Sequence, residues 1–531
     1  MVRPIAGSGQ HLAGHPLFTG VRFVTTSWVI GDRLHGERSA LISRLVPMKR
    51  LLAIGATAVV TLTALTALTA PATAATTWGP CAAGSDPRQE CATIEVPLDY
   101  AAPAKGSISL AVSRIRTARP QLRRGVLLLV PGGPGSPGLS RPSTYVSRLP
   151  KDVLDRYDLV GFDPRGVGAS TPVSCGLDQE DLAFTRLKPY PAADGGIAEN
   201  AAWSRRIAEA CARNGGPLLR HISTRNEARD MDTIRKALGE RRLSYWGVSY
   251  GTYAGAVYAT MFPERTDRVV LDSNDDPDPA RVARAWLANY SVGVEDRFPD
   301  FAAWAAGHDA EYGLGADAAE VRRTFLDLAG RLDREPLPWP GANPPRLTGN
   351  ALRESMLNAL YSDSGFPGLA ALMKAALAGT PLPAAATPPA AVMQNSAASS
   401  AATLCNDVEW PASIARHERL VARDRAAYPL TAGMPVNIGP CASWPYRPAE
   451  RPVRVTSRGP ANVLLVQNLR DPSTPYSGAL KMREAFGARA RMVAVDSGGH
   501  GSYLANGNAC GDAAVTEFLV TGVLPGQDKL C

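Results

Sequence analysis

The sequence predicts an α/β protein: a doubly wound, mostly parallel sheet with an inserted helical cap domain. Three observations carry that expectation. Short runs that are apolar without alternation, "GVLLLV" (Gly125–Val130) and "YDLVGFD" (Tyr157–Asp163), suit strands buried on both faces. The order "LSYWGVS", "YGTYAGAVYATMFP", "DRVVLDS" then reads strand, helix, strand, the rhythm of a βαβ unit. That rhythm stops near Pro277 and resumes only at "ANVLLVQN" (Ala461–Asn468) and "ARMVAVDSG" (Ala490–Gly498).

Taken in order, the chain divides into five parts. Residues 1–47 read as a non-native upstream extension, with Met48 as the expected start. In 48–74, Lys49 and Arg50 precede the apolar Leu51–Ala70, and "ATA" at Ala72–Ala74 offers a cleavage site before Ala75, the pattern of a signal peptide. The apolar run is long enough to span a bilayer, but its small Thr/Ala composition and A-x-A end favour removal over a stable membrane anchor. Residues 75–277 form the first part of the core, with strands at "ATIEVPLDY" and "SISLAVSRIR" and an amphipathic helix at "NEARDMDTIRKALG". Residues 278–455 form the helical cap, including "DAAEVRRTFLDLAGRL" and "ALRESMLNAL"; within it, "GTPLPAAATPPAAVMQNSAASSAA" reads as a flexible low-complexity loop. Residues 456–531 return to the core.

Composition narrows the function. The formal charge is +8, but residues 1–74 hold seven basic and two acidic residues, which leaves only +3 for the remaining chain. No dense basic run or basic-aromatic stripe follows, so nucleic acid is not an expected partner. All eight cysteines lie beyond the signal, and none forms a C-x-x-C pair. Proximity suggests Cys81–Cys91, Cys175–Cys211, Cys405–Cys441 and Cys510–Cys531, one choice among 105 pairings. An oxidising, extracytoplasmic destination follows, with no metal or cofactor expected.

The chemistry begins at "GVSYG", where Ser249 lies between Gly247 and Gly251 at a strand-to-helix junction. That is the setting of a nucleophile elbow, and the Tyr250 backbone N–H at the helix start can donate to an oxyanion. A serine needs a base. Of the four histidines beyond the signal, His308 and His417 fall on charged helical stretches, and His221 precedes a helix as a capping or core residue. His500, in "DSGGHGSY", follows the last apolar strand at the sheet edge where α/β folds keep reactive groups. Asp471, in "RDPSTP", supplies the orienting carboxylate in the order Ser, Asp, His, with Asp496 as competitor. Gly132 and Gly133 in "LLLVPGGPGSPG" offer further oxyanion donors, stiffened by Pro131 and Pro134.

As a set, "VPGGPG", "FDPRGVGAS", "GVSYGTYAGAVYATMFPERTDRVVLD", "RDPSTPY" and "SGGHGSY" resemble the secreted actinobacterial tripeptidyl aminopeptidases, α/β-hydrolases related to prolyl aminopeptidases. The resemblance runs from about Cys91 to Cys531. It implies an α/β-hydrolase fold, a serine exopeptidase, the triad Ser249, Asp471 and His500, and a cap made by the insertion. The chain departs from the family in two places. Pro131 stands where prolyl enzymes usually have histidine, and "VVLDSNDDPD" stands where V-L-D-G is common, which changes the lining near Ser273–Asp276.

The expected substrate is the free N-terminus of a peptide or small protein. Its ammonium calls for a carboxylate under the cap, and "CNDVEW" offers Asp407 and Glu409, with Asp276 a weaker candidate. Proline-directed cleavage, an esterase or lipase on the same triad, and a non-catalytic binding protein that keeps the fold remain as alternatives.

Overall fold

The computed structural model describes residues 76–385 and 387–531. The proposed upstream extension and the signal peptide lie outside them. Twelve strands occur among the described residues: β1 (Gly79–Pro80), β2 (Glu90–Pro97), β3 (Ser107–Ile115), β4 (Gly125–Val130), β5 (Tyr157–Phe162), β6 (Leu243–Ser249), β7 (Thr266–Asn274), β8 (Leu337–Pro338), β9 (Arg346–Leu347), β10 (Val463–Arg470), β11 (Ala490–Gly498) and β12 (Lys529–Leu530). Ten form one sheet in the order β1-β2-β3-β5-β4-β6-β7-β10-β11-β12, while β8 and β9 pair as a separate ribbon. From β5 to β12 every pairing is parallel; β1, β2 and β3 add an antiparallel edge.

The apolar runs explain the sheet's central position. All six residues of β4 are buried, with Val126, Leu128 and Val130 in one hydrophobic cluster and Leu127 and Leu129 in the cluster on the opposite face. A strand that contributes to two cores must be apolar at every position, so period-two alternation disappears. Each such side chain contributes about 1.5–3 kcal/mol on burial.

The helical region has its own core, built from Phe298, Phe301, Phe325, Leu352 and Met356 among others. Two chain segments feed it. The helices of 284–427 supply most of it, but Tyr190 joins the same cluster, and Ile197 and Ala201 pack with Val421 and Ile438. The stretch after β5 therefore leaves the sheet and joins the cap, a role that its position within the first core segment did not announce. The low-complexity stretch also departs from expectation. Its part from Ala390 onward belongs to an 18-residue helix, Ala390–Asp407. Alanine favours helix intrinsically, and small side chains let this helix approach the Pro131–Gly138 loop. A Cβ on Gly135 would lie 2.6 Å from Ser399 Oγ and 2.8 Å from Ser400 Oγ.

The four disulfides join Cys81 to Cys91, Cys175 to Cys211, Cys405 to Cys441 and Cys510 to Cys531. No helix among the described residues is long and apolar enough to cross a membrane.

Candidate active site

The elbow is as tight as the two glycines imply. Ser249 has φ 60° and ψ −127°, a strained region for any residue but glycine. A Cβ on Gly247 would sit 2.4 Å from the Gly251 carbonyl oxygen, and one on Gly251 would sit 2.8 Å from the carbonyl oxygens of Val130 and Pro131. Strand, helix and neighbouring loop cross at contact distance, so side chains there are excluded. The helix Tyr250–Met261 starts immediately after the serine and directs its N-terminal N–H groups at the same rim.

Gly132 faces the serine. A Cβ added to it would lie 2.7 Å from Ser249 Cβ and 3.1 Å from Ser249 Oγ. Only bare backbone fits there, as an oxyanion donor requires. The far end of the loop is pinned by Asp163 of "FDPRG", whose Oδ1 accepts from the N–H groups of Gly138 and Leu139 at 2.8 Å each, while Oδ2 accepts from Ala169. The neighbouring Arg165 is buried in a bidentate pair with Asp230 at 2.7 and 2.6 Å.

Asp471 is fully buried, and both of its oxygens lie 3.0 Å from His500 Nδ1. It also accepts from the N–H groups of Ser473 and Thr474 at 2.9 Å each and from Thr474 Oγ1 at 3.0 Å. Burial pushes this carboxyl up, but His500, the Thr474 N–H and the Ser273 hydroxyl outweigh it and hold it below the usual value. For His500, burial pushes the imidazole down; Asp471 first, then Asp275 and Asp272, more than offset that, and the ring is raised above 6.5. No hydrogen bond joins His500 to Ser249 among the described residues. They are brought to one rim by the adjacent C-terminal ends of β6, β7, β10 and β11.

The other candidates are placed elsewhere. Asp496 is exposed and pairs with Arg470 at 2.6 Å, pointing away from the histidine that follows it. His308 stacks on Trp304, His417 has both ring nitrogens 3.1 Å from backbone carbonyls, and His221 accepts from Arg220. Asp276 is paired with Lys481 at 2.5 Å.

The structure places Asp407 and Glu409, the candidates for the ammonium, outside the cavity beside the Gly133–Pro134 loop. Asp407 is buried and accepts from both the N–H and the hydroxyl of Thr224, so its carboxylate serves the start of the helix Thr224–Ala237. Glu409 is exposed, and its backbone carbonyl accepts from Arg284. Neither lines the cavity of about 310 Å³ that opens beside the Gly133–Pro134 loop. That cavity is walled by apolar side chains of the cap and the segment after β5, including Trp203, Leu287, Tyr290, Leu404 and Trp410. Its one charged lining residue, Lys188, is bound to Glu354 at 2.6 Å.

Several residues around His500 carried no readable sequence signal. The carbonyl of Tyr361, in the cap, accepts from the His500 N–H at 2.9 Å, and its ring meets the imidazole edge-on at 4.9 Å. Asp272 accepts from the N–H groups of Ser502 and Tyr503 at 2.7 and 3.0 Å. The contributions of Ser473 and Thr474 had a partial signal, since D-P-S-T is a turn in which aspartate accepts from the residues two and three ahead.

Known proteins resemble the chain over most of its length. Residues 428–531 match the family model described as "TAP-like protein". A tripeptidyl aminopeptidase of Streptomyces lividans is 36% identical over 471 residues, covering 86% of each chain. Serine protease Hip1 of Mycobacterium tuberculosis is 29% identical, covering 86% of this chain and 90% of the relative. A carboxylesterase B of the same species is 31% identical over 83% of this chain and 86% of the relative.

Proposed function

The chain belongs to the tripeptidyl aminopeptidase family of α/β-hydrolases, and on that premise we propose that it is an exported serine exopeptidase releasing short peptides, tripeptides first among them, from free N-termini. The observation that carries the reading is the bond between His500 and a fully buried Asp471, at the rim where the strained Ser249 ends its strand.

In the mechanism, Ser249 Oγ attacks the scissile carbonyl while His500 Nε2 takes its proton. Asp471 accepts from Nδ1–H, holds that tautomer and stabilises the imidazolium. The Tyr250 N–H, with Gly132 and Gly133, supplies donors to the developing oxyanion. His500 then protonates the departing amine, and water attacks the acyl-enzyme by the same route in reverse. The apolar cavity beside Gly133 receives the acyl side of the substrate. Export is supported by the four disulfides and the signal-like segment 48–74.

A second reading, an esterase on the same machinery, is favoured by one observation: no acidic side chain lines this cavity to meet an ammonium group. Paired substrates separate the two. A peptidase of free N-termini cleaves tripeptide anilides and loses that activity when the amino group is acetylated. Equal turnover of free and acetylated substrates overturns the exopeptidase reading in favour of the esterase.

A further inference from the structure

We propose that Glu227 is a positioning residue for the oxyanion site: as a buried, uncharged acid it completes a hydrogen-bonded chain that ties Tyr250 to the cap, an assignment resting on the hydrolase reading above. Glu227 lies in the first turn of the helix Thr224–Ala237, and Tyr250 begins the elbow helix. Both are buried, as are Thr224 and Asp407. Four of their oxygens form the chain. Glu227 Oε2 lies 2.7 Å from the Tyr250 phenol oxygen, which lies 2.9 Å from Thr224 Oγ1. Thr224 Oγ1 in turn donates to Asp407 Oδ2.

Three contacts in a row need three protons. The phenol and the threonine hydroxyl bring one each. With both carboxyls ionised, each hydroxyl would turn to its own carboxylate, and the Tyr250 and Thr224 oxygens would face one another at 2.9 Å with no proton between them. The third proton therefore sits on a carboxyl, and the surroundings say which. Asp407 Oδ1 accepts from the Thr224 N–H at 2.9 Å, so both of its oxygens are served as an anion. Glu227 Oε1 is buried with no hydrogen-bond partner among the described residues. A bare buried carboxylate oxygen is costly, whereas a neutral acid satisfies its O–H and leaves a carbonyl idle at much lower cost. The charges nearby agree. Arg165, after β5, faces Glu227 but is bound to Asp230 of the same helix as Glu227, and Asp407 of the cap adds a further negative charge. Tyr250 and, from β6, Tyr245 are the other titratable groups beside it. Burial raises the carboxyl most; Tyr250 and Arg165 pull it down, Asp230 and Asp407 push it up, and it settles at about 8.

Through this chain the residue that gives its N–H to the oxyanion is held to the last residue of the cap helix Ala390–Asp407. Further back in that helix, Ser400 donates to the Pro134 carbonyl, in the loop of Gly132 and Gly133. One cap helix thus grips both sets of oxyanion donors. Loss of the Glu227 proton turns the phenol toward Glu227, breaks the link from Tyr250 to Thr224 and frees one end of that grip.

The test follows, against pH, the rate at which an alkyl fluorophosphonate modifies Ser249, read by intact mass. In that step an Oγ–P bond forms, fluoride leaves and His500 takes the serine proton, so no substrate ammonium titrates. In wild type the rate should rise as His500 loses its proton and then fall about 10-fold above about pH 8, less than the loss of about 10²-fold or more for an oxyanion donor removed outright. Glu227→Gln supplies an N–H donor to the phenol at every pH and should label near the wild-type maximum with no alkaline fall. Tyr250→Phe keeps the backbone N–H but cuts the chain; it should label about 10-fold more slowly across the range, also without the fall. The infrared difference between wild type and Glu227→Gln at neutral pH should show the carbonyl band of a protonated carboxyl. An alkaline fall that survives Glu227→Gln, or the absence of that band, overturns the assignment. Should Glu227→Gln fail to fold, Tyr250→Phe decides: an intact alkaline fall there overturns it. Failure of the wild-type protein to label at Ser249 overturns the nucleophile reading and this assignment with it, whereas a labelled wild type whose fall survives Glu227→Gln overturns this assignment alone.

Discussion

Asp471→Asn is the substitution with the largest effect for the smallest change of shape. The carboxylate is fully buried and accepts at both oxygens: Oδ1 from the N–H groups of Ser473 and Thr474, Oδ2 from Thr474 Oγ1, and both from His500 Nδ1 at 3.0 Å. An asparagine can keep its oxygen where the two backbone N–H groups point. Its amide nitrogen then occupies the Oδ2 position and turns a donor toward His500 Nδ1. Thr474 can adapt by rotating its hydroxyl, but the imidazole can avoid the donor–donor conflict only by moving its proton to Nε2. In that tautomer the nitrogen facing Ser249 cannot accept a proton. In trypsin-like proteases the corresponding substitution lowers kcat by about 10⁴, with geometry intact. The same loss here corresponds to about 5.4 kcal/mol of transition-state stabilisation. The assay is kcat/KM on free-amino tripeptide anilides, with thermal melts to show that the variant folds. Activity within tenfold of wild type would refute the reasoning, because the carboxylate would then not be setting the tautomer.

The pH profile should follow from the same pair. His500 must be neutral to act as base, and its raised value means that kcat/KM falls as pH drops through a point above 6.5; in Asp471→Asn the residual activity should show that limb at lower pH. Gly132→Ala places a methyl 2.7 Å from Ser249 Cβ and should lower kcat by more than about 10²-fold with little change in melting temperature; near-normal kcat would remove this loop from the oxyanion site. Arg165→Met leaves Asp230 buried without its partner and should cost about 3–5 kcal/mol by urea denaturation, without touching the reacting atoms.

How much of this could be read beforehand depended on range. The strand runs at Gly125–Val130 and Leu243–Ser249 were legible because burial on both faces leaves a periodicity signal within a few residues. The helix Ala390–Asp407 was not, because its small residues lack an amphipathic stripe, and the reason for them, close approach to Gly135, lies over 250 positions away. The partner of Asp407 was hidden for a similar reason. Its neighbour in space is Thr224, and adjacency to Cys405 gave no hint that the carboxylate was already in use.

Local order therefore settled the element types, the crossover at Gly247 and Gly251, and the placing of Ser249, Asp471 and His500 each after a strand, since these follow from short-range sterics and side-chain periodicity. Packing settled which carboxylate meets the imidazole. Asp496 is four residues from His500 along the chain yet turns outward to Arg470, whereas Asp471 reaches it across the β10–β11 boundary. Packing also brought Tyr361 of the cap onto the histidine and the Ser273 hydroxyl to the N–H of Gly501, the residue after it. Contacts of this kind depend on how strands and helices stack at long chain separation, and no periodicity within a segment encodes them.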